Sequence, residues 1–184
     1  GIDYVFSWLG NVDLLLAIIK LLEDRMNADN DINEVGVQMI MLVEDSVRFY
    51  SSVLPHLYKF LLKQSLEFST EALNPHEQML RMRGRPKVML ARNYEEAVQL
   101  YNKYGKNMLG VISDVSFMCE GKKDADAGIK LAKYFREKDQ YLPILRHGRT
   151  RPAERSRYPG RSPRPGTPLL RRHNQRWWRC QNPR

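Results

Sequence analysis

The chain has 184 residues, room for one ordinary domain or for one domain plus fragments of others. Its 42% hydrophobic and 10% aromatic content excludes a wholly disordered or collagen-like polypeptide. No run approaches the roughly 18 apolar residues of a membrane-spanning helix, so a membrane partner is not expected. Two cysteines, Cys119 and Cys180, cannot build a disulfide framework, and the reducing cytoplasm is the expected location. The net charge of +9 points to nucleic acid until its distribution is considered. Residues 146–184 hold 12 Arg, no Lys and one acid, Glu154, a net +11, which leaves residues 1–145 at −2.

The chain starts at Gly1 without a basic segment ahead of its first apolar run, so a fragment of a cytoplasmic protein is expected rather than a secreted precursor. Residues 4–8 (YVFSW) form a short β-prone run closed by Gly10. Asn11 or Asp13 can cap a helix carrying Leu14, Leu15, Ala17, Ile18, Leu21 and Leu22 at helical spacing. ADNDINE reads as a polar linker, and VQMIMLV at 37–43 as a strand buried on both faces.

From about Ser52 to Leu73, apolar residues recur at helical spacing, with Pro55 in the first turn. A second helical stretch covers roughly 75–83, Gly84 and Pro86 break it, and KVMLA at 87–91 is a second strand. Asn93 caps a helix ending at Gly105, and MLGVISD at 108–114 is a third strand. FMCEGKKDADAG reads as a loop, 129–140 as a helix, and YLPIL as a short fourth strand.

Strands alternating with long helices predict an α/β domain with a parallel sheet and helical crossovers. The tail from residue 146 holds six prolines and three glycines and lacks Val, Ile, Phe and Met, so it cannot offset the entropy of ordering and is expected to be disordered. Arg and Pro without Lys or Ile is the composition of an out-of-frame reading of GC-rich DNA, the expected origin of this tail. Nucleic-acid binding through its arginines with Trp177 and Trp178 is the distant alternative.

Functional groups of a parallel sheet gather at the carboxyl ends of its strands. Two strands end there in acids, Glu44-Asp45 and Asp114. Three converging carboxylates repel one another unless a cation sits among them, and oxygen donors favour Mg²⁺. One of them can then act as nucleophile toward a phosphoryl group. Against this, acids after strands also serve as helix caps or solvated loop residues. The four histidines, His56, His76, His147 and His173, form no ligand cluster by spacing. Cys119 lies beside Glu120, which disfavours a thiolate, and no phosphate-binding glycine loop is present.

LVEDS at 42–46, LGVISDVSFM at 109–118 and GIKLAKYFREKDQYLPIL at 128–145 together resemble a bacterial response-regulator receiver domain over residues 37–145. The resemblance implies a flavodoxin-like parallel sheet with flanking helices, here truncated after the fourth strand. It implies a non-enzymatic signalling module that accepts a phosphoryl group on Asp114. Mg²⁺ would be held by Glu44, Asp45, Asp114 and the backbone carbonyl of Ser116, and the donor would be a histidine kinase or phosphotransfer protein. The chain departs from the family where Cys119 replaces a proline, in a longer loop before Gly128, and in an extended region between the first two strands. The family's Ser/Thr after the fourth strand and Lys after the fifth have no counterpart, and Thr150 does not match the switch position.

Residues 1–27 are similar to the last strand and helix of a preceding pseudo-receiver, with 28–36 as linker; Ser7 and Trp8 stand where its Lys would be. That pairing resembles the regulatory N-terminal region of phosphoenolpyruvate synthase-like multidomain proteins, which implies a linked downstream output domain. The alternative function is a degenerate receiver-like interaction domain that takes no phosphate.

Overall fold

The computed structural model describes residues 4–8, 10–70, 74–76 and 84–148. The first described helix, α1 (Asp13–Ala28), starts where Asn11 Oδ1 accepts the Asp13 N–H. Residues 4–8 form no strand. Instead the Ser7 N–H donates to Ser51 Oγ, and Phe6 packs edge-on against Tyr50. Helix α1 runs into a π-helical turn, Asp29–Glu34, where a polar linker was expected. Ile32, one aliphatic side chain in a polar stretch, is fully buried there, and its carbonyl accepts from Asn107.

Strand β1 (Met39–Val43) leads to α2 (Val47–Thr70), which begins five residues earlier than its apolar spacing predicts. Ser46 explains the early start: its Oγ accepts the Phe49 N–H and its carbonyl the Tyr50 N–H. Pro55 therefore lies inside the helix rather than in its first turn. The missing N–H leaves one turn without its bond, and burial of Leu54, Tyr58 and Leu61 carries the helix through. Most of the helix expected over 75–83 lies outside the described residues.

Strand β2 (Lys87–Ala91) is followed by α3 (Tyr94–Tyr104), capped as expected by Asn93, which accepts the Glu96 N–H. A 3-10 turn, Gly105–Asn107, leads into β3 (Met108–Asp114). The segment expected as a loop is a hairpin of β4 (Phe117–Cys119) and β5 (Lys122–Asp124). Its turn residues Glu120 and Gly121 both have positive φ, 51° and 72°, the backbone that matches the twist of a tight hairpin. Helix α4 (Ala127–Lys138) and β6 (Ile144–His147) complete the described residues.

The result is an α/β arrangement with a four-stranded parallel sheet in the order β2-β1-β3-β6. Successive residues of β1 point to opposite faces. Leu42 joins Val88, Leu90 and the α1 and α2 residues Ala17, Leu21, Tyr50, Leu54 and Tyr58 in one core. Met39, Met41 and Val43 join Val111, Tyr104, Phe117, Leu131 and Phe135 in the other. Gly128 lies so close to the end of β3 that a Cβ there would overlap the Asp114 carbonyl, which brings the start of α4 against that strand end.

A buried ionic cluster ties α1 to the sheet. Asp24, with no exposed surface, accepts from both terminal nitrogens of Arg85, at 2.6 and 3.1 Å, from Tyr58 at 3.0 Å and from the Val88 N–H at 2.9 Å. Lys87 spans between Asp24 and Asp31, at 3.7 and 2.6 Å. The described residues form one compact unit.

The segment expected to be disordered from residue 146 begins differently. Arg146 and His147 continue β6, paired with Ser113 and Asp114. Two more ladder partners on β3 were available, and the strand uses both. The remainder of the tail, 149–184, lies outside the described residues. Among the described residues, no helix is long and apolar enough to cross a membrane.

Candidate functional site

The carboxyl ends of β1, β3 and β6 lie side by side, because β3 pairs with both β1 and β6. Glu44 follows β1 directly and is buried. Its Oε1 accepts the Ser46 N–H at 3.0 Å, so the carboxylate sits at the N-terminus of α2, where helix dipole and free N–H groups favour negative charge. Asp114 is the last residue of β3, and its Oδ1 accepts the Val115 N–H at 2.7 Å.

Asp45 is paired outside this cluster. Its carboxylate pairs with Lys123 of β5, at 3.2 and 3.3 Å. Ser116 lies half-buried in the bend between β3 and β4. The expected set of Glu44, Asp45, Asp114 and Ser116 thus contributes Glu44 and Asp114 to one cluster, with Asp45 engaged by the hairpin.

The residue that sequence reasoning missed is His147. Its Nε2 lies 3.4 Å from Glu44 Oε2, and its Nδ1 4.0 Å from Asp114 Oδ1. The ring stacks on Phe49 of α2, with centroids 4.5 Å apart and planes 14° from parallel. Gly148 follows with φ +111°, and a Cβ at that position would overlap Asp114 Oδ1, so a residue without a side chain is needed there. The signal in the sequence was positional. Two more residues of β6 place a histidine beside the terminal aspartate of β3.

Electrostatically the cluster is under tension. Burial, then the charges of Asp114 and Asp45, push the Glu44 carboxyl up from its ordinary 4.5 to about 7, against the pull of the Ser46 N–H and of Lys123. Burial holds His147 below its ordinary value, despite the nearby Asp114 charge. A neutral imidazole offers a lone pair and no compensating positive charge.

Glu44, Asp114 and His147 could hold a metal ion, since one donor atom from each can be chosen with all three within 4.8 Å of one another. His147 Nε2 is buried without a hydrogen-bond partner, an orphaned donor position at the same place.

No protein-family model, curated protein or solved structure matches the chain.

Proposed function

We propose that this chain is a receiver-type phosphoacceptor module of a bacterial phosphorelay, with a flavodoxin-like sheet and Asp114 as acceptor. The observation that carries the reading is the meeting of Glu44 and Asp114 at the carboxyl edge of adjacent parallel strands, beside the N-terminus of α2. Asp114 Oδ1 accepts the Val115 N–H, and on this reading the attack comes from Oδ2. That oxygen attacks the phosphorus of a phosphohistidine on a kinase or phosphotransfer protein. The P–N bond breaks, its electron pair returns to the imidazole, which takes up a proton, and an acyl phosphate forms on Asp114.

Mg²⁺ held by Glu44, Asp114 and Asp45, with the Ser116 carbonyl, would neutralise charge on the transferred oxygens. Asp45 would have to exchange Lys123 for the ion. On this reading the protein is cytoplasmic and is itself not an enzyme. A phosphoenolpyruvate synthase-like output module would lie downstream.

A second reading is favoured by His147 and Lys123 together. With the imidazole over Glu44 and Asp114, and Lys123 on Asp45, a degenerate interaction domain would keep the architecture without phosphate chemistry. Acetyl phosphate with Mg²⁺ separates the two. An acid-labile, hydroxylamine-sensitive adduct on intact protein, absent from Asp114→Asn, supports the phosphoacceptor. No adduct in the wild-type chain, at metal concentrations that saturate the site, favours the interaction domain.

A further inference from the structure

We propose that Glu44, Asp114 and His147 form a site selective for a borderline divalent transition-metal ion over Mg²⁺, with His147 as the nitrogen ligand. The inference rests on the cation site of the reading above, and it does not require phosphoryl transfer.

Three features carry it. The donors come from the ends of three laterally paired strands, so the sheet, rather than loop conformation, holds them together. The Glu44–His147 separation of 3.4 Å matches the roughly 3.3 Å between neighbouring ligand atoms of a tetrahedral ion with bonds near 2.0–2.1 Å. The Asp114 contact is longer, 4.0 Å to the other ring nitrogen, so an ion bound through Nε2 draws Asp114 inward.

His147 Nε2 is buried and makes no hydrogen bond. A ring nitrogen shielded from water with no partner is costly, and a metal bond at that atom removes the cost. Stacking on Phe49 restricts the ring plane in advance of binding. Among the described residues, the ion-pair contacts of Glu44 and Asp114 are with His147 alone, and Lys123 acts on Glu44 only from its place on Asp45.

The donor set then decides the ion. Mg²⁺ prefers all-oxygen octahedral surroundings and keeps its waters, whereas imidazole suits zinc, cobalt and related ions. Two carboxylates and one imidazole are three protein ligands, which leaves a position open to solvent or an exogenous ligand.

The test uses the full chain and two probes, Co²⁺ followed by visible absorption and Mg²⁺ as competitor. Wild type should bind one Co²⁺ that Mg²⁺ displaces only at large excess. Replacing the imidazole in His147→Gln should weaken Co²⁺ by about tenfold or more and leave Mg²⁺ binding nearly unchanged. Cys180→Ser and His173→Gln should leave the Co²⁺ spectrum intact. Equal Co²⁺ affinity in wild type and His147→Gln, or a spectrum lost with Cys180 or His173 instead, overturns the proposal. Nitrogen hyperfine coupling to bound Mn²⁺, absent from His147→Gln, gives a second readout, and its absence from wild type counts against the site. Failure of the acetyl phosphate adduct with Co²⁺ binding retained removes the phosphoacceptor reading alone. An adduct with no His147-dependent metal preference removes this inference alone.

Discussion

His147 stands opposite Asp114 in the parallel ladder of β3 and β6 and stacks on Phe49 of α2. The stacking partner does more than fill space: it covers one side of the imidazole and contributes to the burial that disfavours its charged form. Phe49→Ala should therefore return the His147 pKa upward, toward its ordinary 6.5. An NMR titration of the ring protons measures it, and an unchanged or lower value would show that Phe49 does not control this ring.

Glu44 gives the protein a pH dependence of unusual sign. Its carboxyl titrates at about 7 when folded and near 4.5 when unfolded. Between those values the folded state holds the extra proton, so stability falls as pH rises through the interval and the penalty is complete above about 7. The full effect is on the order of 3 kcal/mol. Glu44→Gln keeps an acceptor for the Ser46 N–H and should match wild type near pH 5 while exceeding its stability near pH 8. Urea melts at the two pH values, without added metal, check the difference. A variant less stable at both would contradict the electrostatic account.

The Lys123–Asp45 pair competes with any cation for the same carboxylate. Lys123 is largely exposed, so the pair is worth no more than about 1 kcal/mol. Lys123→Met should raise Mg²⁺ affinity by up to about fivefold, measured by calorimetric titration. Unchanged or weakened binding would mean that Asp45 does not join the ion.

Asp24 is the buried counter-charge of Arg85 and Lys87. Removing one partner of a buried pair strands the others, at a cost of about 3–5 kcal/mol. Asp24→Ala should lose that much in chemical denaturation, and a chain beginning at residue 29 should not unfold cooperatively. A truncated chain with a sharp transition would show that α1 is dispensable to the sheet.

Local chemistry made much of the framework legible in the residues alone. Apolar runs at 37–43, 87–91 and 108–114 became β1, β2 and β3 with at most two residues of change; β1 and β2 are buried nearly throughout, as continuous apolar runs imply, while β3 buries only Val111 and Ser113. Asn93 announced α3 because an amide side chain before a helical pattern accepts an orphan backbone N–H. The acids ending β1 and β3 were likewise visible as residues at strand ends. Tertiary structure decided which of them meet. Glu44 and His147 come from the first and last strands of the described chain, and only the order β2-β1-β3-β6 brings their side chains together. The same assembly sent Asp45 to a lysine on a hairpin and buried Asp24 against Arg85, pairings set by lateral packing between segments far apart in sequence. Composition and periodicity act over a few residues and specify elements. The site depends on strand register and helix placement, which come from burying both faces of one sheet at once.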